Sequence, residues 1–322
     1  MYIQDTTFKP NIFLRNKHVN TLYRYFFSKI KVNFIRERML TDDADFIDLD
    51  VSKVNSDKVV IVIHGLEGSS ESNYIHTITE LLNKNNYDVY AFNMRGCSGE
   101  PNNLLSSYHS GKTEDLLAII QYIKLKKDYK QLHVVGYSLG GNLAIKFMGE
   151  FADKMPSLIK SAVGVSVPCD LKGSTIAIAK WDNTLYMKGF LKTLKEKTIE
   201  KIMRFPNANI NKKKMLAAKN FFDFDNLVTA PIHGFKDAED YWKQSSCKQF
   251  IKNIKHATLL ITSKDDPFLT TSCMPIEEAK KHQYFTFLQT EYGGHIGFVR
   301  NFKMKKQRWL EYQIVDFIKK NS

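Results

Sequence analysis

Leu132-His-Val-Val-Gly136-Tyr-Ser138-Leu-Gly140-Gly-Asn142 is the stretch whose reading decides the fold. An apolar, β-branched run ends in glycine, a serine stands between two small residues, and a helical pattern begins near Asn142. Strand, sharp turn and helix in this order make a nucleophile elbow. Small residues at both glycine positions let the chain turn tightly, and the strained serine projects its hydroxyl above the end of the sheet. Gly-x-Ser-x-Gly alone is a weak signal, since glycine and serine are common. The strand before it and the helix after it make it informative.

Outward from the elbow, apolar β-branched runs alternate with amphipathic helical patterns, which is the signature of βαβ units and a largely parallel sheet. Strands are expected at Lys58–Ile63, Asp88–Asn93, Leu132–Gly136, Ser161–Val167, Ala257–Thr262 and Tyr284–Leu288. Helices are expected at Glu114–Leu125, Asn142–Phe151 and Gln307–Lys319. Residues 32–40 and 45–51 alternate like half-exposed strands and are expected to form an antiparallel edge. From about 170 to 250 the alternation stops and the pattern is mostly helical. The expected organisation is a core in two parts, 1–169 (with an N-terminal extension over about 1–40) and 251–322, with a helical lid inserted over 170–250.

A serine hydroxyl needs a base, and the base needs a carboxylate, here expected in the chain order Ser, Asp, His. The strand Leu259-Leu-Ile-Thr-Ser ends in Lys264-Asp265-Asp266-Pro267-Phe268, and the last strand leads to Gly293-Gly-His295-Ile-Gly297. Ser138, Asp266 and His295 are the expected catalytic residues. Asp266 is preferred because it stands beside Pro267 where the strand turns, and Asp265 is the rival. Acyl transfer also requires donors for the developing oxyanion. The backbone N–H groups of Leu139, after the serine, and of Leu66, in His64-Gly-Leu66-Glu-Gly68 after an earlier strand, are assigned to that role. His64 reads as a loop-shaping histidine, Arg95 and Glu100 as structural, and His109 as a tie for the loop before residue 114.

Composition narrows the alternatives. The chain has 322 residues, of which 43% are hydrophobic and 25% charged, as in ordinary globular proteins. No run approaches the roughly 18 apolar residues of a membrane span, and no secretory leader pattern opens the sequence. Four scattered cysteines fit reduced, buried thiols in a cytoplasmic protein. Among nine histidines there is no clustered metal-ligand spacing, and there is no phosphate loop or GxGxxG, so neither metal nor cofactor is expected. The net charge is +13, concentrated in residues 1–40 (eight Lys and Arg against two acids), 170–219 (twelve against four) and 300–322 (seven against two). No nucleic-acid-binding signature accompanies it, so nucleic acid is not an expected partner.

The segments His64-Gly-Leu-Glu-Gly-Ser69, Asn93-Met-Arg-Gly-Cys-Ser-Gly-Glu-Pro-Asn102, Tyr108-His-Ser-Gly-Lys-Thr-Glu-Asp115, Val135-Gly-Tyr-Ser-Leu-Gly-Gly-Asn142, Thr229-Ala-Pro-Ile-His-Gly-Phe235, Asp265-Asp-Pro-Phe268 and Gly293-Gly-His-Ile-Gly-Phe298 together span nearly the whole chain. The sequence thereby resembles the YheT-like branch of the α/β-hydrolases, which includes acylglycerol and phospholipid hydrolases and medium-chain ethyl ester synthases. The Arg-Gly-Cys-Ser-Gly-Glu segment is far more specific than the serine motif. The resemblance implies the α/β-hydrolase fold and a serine esterase or lipase-like activity on small-molecule or lipid esters, with Ser138, Asp265 or Asp266, and His295 as triad. In Asn16-Lys-His-Val-Asn-Thr21, Lys17 and Asn20 depart from the branch's usual proline and glutamine.

Two other functions are weighed beside hydrolysis: transfer of the acyl group to an alcohol, and a non-catalytic protein that binds lipid or a partner. Within residues 186–204, Met187, Leu191, Leu194, Ile199, Ile202 and Met203 recur at near-helical spacing beside Lys188, Lys192, Lys195 and Lys201. One reading is a lid helix with a solvated basic face, the other a basic amphipathic lid in peripheral contact with an anionic membrane.

Overall fold

The computed structural model describes residues 1–27, 30–302 and 308–322. Nine strands form one sheet: β1 (Tyr2–Asp5), β2 (Ile35–Leu40), β3 (Phe46–Ser52), β4 (Lys58–Ile63), β5 (Asp88–Asn93), β6 (Gln131–Tyr137), β7 (Ile159–Val165), β8 (Ala257–Ser263) and β9 (Phe285–Thr290), in the order β1-β9-β8-β7-β6-β4-β5-β3-β2. β1 and β4 to β9 run parallel, while β3 pairs antiparallel with both β5 and β2. The antiparallel edge expected from residues 32–51 is therefore present.

The central strands are continuously apolar because both faces are covered. Along β4, Val59, Ile61 and Ile63 enter one core while Val60 and Val62 enter the other. The helices that supply the first core are α3 (Thr113–Lys126) and α4 (Leu139–Glu150), with α11 (Ile276–Lys280) at its margin. On the opposite face lie α2 (Asn73–Lys84) and α12 (Trp309–Lys320), through Ile75, Ile78, Leu310 and Ile314. The helix expected from Gln307 begins at Trp309, and Gln307 itself lies outside the described residues.

Between β7 and β8 the chain leaves the sheet. It forms α5 (Leu171–Ile178), α6 (Thr184–Arg204), α7 (Lys212–Ala217), α8 (Phe221–Phe224), α9 (Ala230–His233) and α10 (Ala238–Ser245) before a 3-10 stretch over Cys247–Asn253. The side chains of Asp170, Asn211, Asn220 and Asp237 each accept a hydrogen bond from the backbone N–H three residues on, capping α5, α7, α8 and α10. This segment has its own small core of Met187, Leu191, Met215, Phe221, Phe224 and Val228, joined by Phe268 from the main body.

The N-terminal extension over about 1–40 is built into the body: β1 extends the sheet beside β9, and α1 (Lys17–Phe27) packs beneath the loop that carries His295. α2 lies in a stretch to which the sequence pattern assigns no element. On α6, Lys201 is buried and donates to the carbonyl oxygens of Asn102 (3.0 Å) and Leu104, and Lys195 donates to those of Leu216 and Ala218. Only Lys188 and Lys192 of the expected basic face are freely exposed. Burial explains the difference, because the helix is wedged between the main body and α7 and cannot keep one side wholly solvated.

Candidate active site

Ser138 stands at the turn from β6 into α4, with φ +52° and ψ −118°, in a region that a non-glycine residue enters only under tertiary constraint. The neighbours supply that constraint. A Cβ on Gly136 would lie 2.1 Å from the Gly140 carbonyl oxygen, and one on Gly140 would lie 2.4 Å from that of His64. We expect Gly136→Ala to lower the unfolding free energy by about 3 kcal/mol, the upper range for overpacking, as measured by urea titration. A loss below about 0.5 kcal/mol would mean that the turn has slack.

Three residues from distant parts of the chain meet here. His295 Nε2 lies 3.0 Å from Ser138 Oγ, and His295 Nδ1 lies 2.9 and 3.1 Å from the two carboxylate oxygens of Asp266. With its Nδ1–H directed to the carboxylate, the imidazole presents an unprotonated Nε2 to the hydroxyl. Asp266 is buried and also accepts the backbone N–H of Phe268 at 2.9 Å. Asp265 points elsewhere: its Oδ1 accepts the Gly294 N–H at 2.9 Å, and among the described residues its buried Oδ2 has no hydrogen-bond partner. Burial pushes the Asp265 carboxyl up to about 6. The structure brings together Ser138, Asp266 and His295, and uses Asp265 to hold the histidine loop.

That loop is clamped from several sides. The His295 N–H donates to Thr21 Oγ1 at 2.8 Å, the Ile296 N–H to Ser166 Oγ at 3.0 Å, and Ser263 Oγ to the Gly294 carbonyl at 2.8 Å. Asn20 is fully buried; it donates to the carbonyls of Leu14 and Val299 and accepts the Val299 N–H. The sequence reading attached no role to Asn20 or Thr21, although both lie in the 16–21 segment that carried part of the resemblance.

Leu66 and Leu139 line the same cavity as Ser138. Leu139 is the first residue of α4, where a helix leaves its N–H groups without intrahelical acceptors, and among the described residues neither amide has a hydrogen-bond acceptor. The 64–68 loop lies against the elbow, since a Cβ on Gly65 would sit 3.1 Å from Ser138 Cβ. His64 shapes this loop: Nε2 accepts the Met94 N–H at 3.1 Å and Nδ1 donates to the Gly65 carbonyl at 2.7 Å. Its burial pulls the imidazole down to about 4, so it stays neutral.

Glu67 follows with φ +55° and is held by Tyr108, whose hydroxyl donates to Oε1 at 2.6 Å, and by Lys197 of α6, 3.0 Å from Oε2. Arg95 pairs with Asp115, Asp43 and Asp45, while Glu100 pairs with Arg38, so both are structural. His109 Nδ1 accepts the Gly111 N–H, tying down its loop as expected, and its ring also lines the cavity, 4.7 Å from that of His233. Cys97 is buried and its thiol is pushed up to about 12, which makes it a poor nucleophile. Among the described residues no group of three or more His, Cys, Asp or Glu is placed to hold a metal ion.

The cavity measures about 570 Å³. Its lining includes the apolar Ile178, Phe190, Leu194, Phe221, Phe224 and Phe268 and the polar Glu67, Tyr108, Lys197, His109 and His233. Most of these apolar residues belong to the helical insertion. Chemically, the arrangement is a hydroxyl with an adjacent base, the base oriented by a carboxylate, and two unengaged amides beside a cavity lined by both apolar and polar side chains.

Residues 58–301 match the family model described as alpha/beta hydrolase fold. YheT of Escherichia coli (strain K12), which carries an esterase name, is 33% identical over 98% of this chain and 94% of its own length. The bovine phospholipase ABHD3 is 28% identical over 97% of this chain and 78% of its own, and the monoacylglycerol lipase of Saccharomyces cerevisiae is 29% identical over 84% and 61%. Among solved structures, a Pyrococcus furiosus esterase superposes with TM-score 0.62 at 19% identity, covering 89% of this chain and 90% of that one, a likeness of fold. With the parallel sheet, the elbow and the matched residues 58–301 all in agreement, this chain belongs to the α/β-hydrolase family.

Proposed function

We propose that this protein hydrolyses carboxylic esters, of short- to medium-chain acyl groups or of lipids, through an acyl-enzyme on Ser138. The observation that carries the reading is the 3.0 Å approach of His295 Nε2 to Ser138 Oγ while Nδ1 engages Asp266. His295 takes the hydroxyl proton as Oγ attacks the ester carbonyl, and Asp266 stabilises the imidazolium. The Leu66 and Leu139 amides receive the oxyanion. His295 then protonates the leaving alcohol and activates the water that releases the acid. The segment 170–250 serves as a lid whose aromatic and aliphatic side chains hold the acyl chain. The esterase and lipase names of its relatives support this class of substrate. Labelling with a fluorophosphonate probe, together with p-nitrophenyl esters of graded chain length, tests the reading. Absence of both labelling and turnover would favour a binding protein, and formation of new esters from added alcohol would favour acyl transfer.

The clamp on the histidine loop makes a further expectation. Thr21→Val leaves the buried His295 N–H without an acceptor, at a cost of about 1–3 kcal/mol. We expect kcat to fall roughly tenfold with KM little changed, and Thr21→Ser to restore it. An unaltered Thr21→Val enzyme would show that the loop is held without this contact.

A further inference from the structure

We propose that the exposed face of α1 and the beginning of α6 form one docking surface for an anionic lipid bilayer. Binding at this surface does not depend on the ester-hydrolase reading; only its purpose, delivery of lipid esters, rests on it.

On α1, Asn20, Arg24 and Thr21 turn toward the body. The opposite side carries His18, Val19, Leu22, Tyr25 and Phe26, which share a face at helical spacing. Tyr25 and Phe26 are 67% and 63% exposed, and their rings lie 5.0 Å apart. α6 meets this face directly. The His18 ring stacks on Tyr186 at 5.8 Å, and Lys17 pairs with Asp182 at 2.7 Å. The residues just before these two contacts, Trp181 and Leu185, are 88% and 84% exposed. The two helices therefore present a joint apolar surface of a kind that soluble proteins rarely leave uncovered without a partner.

Charge selects the partner. From the 3-10 turn Trp181–Asn183 into α6, Trp181, Leu185, Lys188 and Lys192 follow helical spacing, with Lys180 adjacent, and all five side chains are exposed. α1 contains no acidic residue, and the sole acid between Trp181 and Lys192, Asp182, is neutralised by Lys17. A second copy of this chain would bring lysine against lysine. An anionic lipid surface accepts the aromatic and aliphatic residues at its interface and the lysines at its headgroups, each such lysine contributing roughly fivefold in affinity.

The surface also lies beside the site. Tyr186 packs on Phe268 at 4.8 Å, Phe268 on His295 at 4.4 Å, and Thr21, on the inner side of α1, holds the His295 N–H. A bilayer seated on α1 and α6 would thus meet the helical insertion that lines the Ser138 cavity.

The test is sedimentation of the full chain with phosphatidylcholine vesicles with or without about 30 mol% phosphatidylglycerol. We expect at least about tenfold tighter binding to the anionic vesicles and its loss at about 0.5 M salt, where screening is strong. The pairs Leu22→Ser with Phe26→Ser, and Trp181→Ser with Leu185→Ser, should each weaken binding about tenfold, and Lys188→Glu with Lys192→Glu should abolish the anionic preference. A blue shift of tryptophan fluorescence on binding should disappear in the Trp181 variant, since Trp242 is buried and Trp309 half-buried. Turnover of a water-soluble p-nitrophenyl ester by these variants reports their folding, and vesicle binding by Ser138→Ala separates this proposal from the catalytic one. Wild-type-like binding by the paired variants, equal binding to both vesicles, or a dimer in light scattering that the variants dissociate would overturn it.

Discussion

Ser138→Ala is expected to lower ester turnover by about 10⁶ and to abolish fluorophosphonate labelling, while leaving the unfolding midpoint within a few degrees of wild type. Removing Oγ deletes the atom proposed to form the acyl-enzyme, and nothing nearby substitutes for it: the Cys97 thiol is pushed up by burial and engaged with Lys197 at 3.3 Å. The fold should survive, because the strained backbone at residue 138 is imposed by the packing of Gly136, Gly140 and the 64–68 loop. The residual rate should come from the two amides and the cavity alone. Turnover by the variant within tenfold of wild type would remove Ser138 from the mechanism and leave the cavity as a binding site or assign its chemistry elsewhere.

The two adjacent acids provide the second large effect. Asp266→Asn is expected to cost about 10⁴ in kcat, because an amide beside Nδ1 favours the wrong imidazole tautomer and cannot stabilise the imidazolium. Asp265→Asn should stay within about tenfold, since an asparagine Oδ1 can still accept the Gly294 N–H. The reverse ranking would transfer the role to Asp265. A second readout separates the pair. The Asp265 carboxyl, at about 6 in the folded chain against 3.8 ordinarily, binds its proton more tightly when folded. Its contribution to stability therefore declines as pH rises from about 4 through 6, where the folded state alone retains the proton. Asp265→Asn removes that slope, so its stability relative to wild type should climb across this window and level off above pH 7. A difference that does not change with pH would show that the buried carboxyl is not carrying a proton.

Lys197 and Lys201 show how the helical insertion is tied to the body. Both leave α6 toward loops of the main core, Lys197 to Glu67 and Lys201 to the carbonyls of Asn102 and Leu104. Burial brings the Lys201 ammonium down to about 8, yet three carbonyl oxygens receive its protons. Glu67 adjoins Leu66, so the tie through Lys197 reaches the residue next to one of the two proposed oxyanion amides.

Much of this protein could be read from its linear sequence, for a local reason. β4, β5 and β6 are unbroken apolar, β-branched runs because parallel strands are buried on both faces, and such runs are visible without knowing what covers them. The elbow is legible too, because small residues mark both positions, although only the approach at residue 136, to Gly140, is local; the one at residue 140 comes from Ile63 and His64 at the end of β4. The order serine, acid, histidine placed Ser138, Asp266 and His295 at ends of strands that prove to be β6, β8 and just past β9. What only the tertiary structure decided are pairings between residues far apart in the chain. Periodicity could not distinguish Asp265 from Asp266, because they differ only in which way each side chain leaves the turn, and that depends on Gly294 and His295 some thirty residues later. Nor could it show that β1, four residues long, completes the sheet, or that Thr21 reaches a histidine 274 positions away. Likewise the charge pattern of α6 read as a solvated basic face, whereas packing against the 102–104 loop buries Lys201. A residue's type limits what it can bind, but which partner reaches it is settled by how the sheet orders its strands and where the insertion comes to rest.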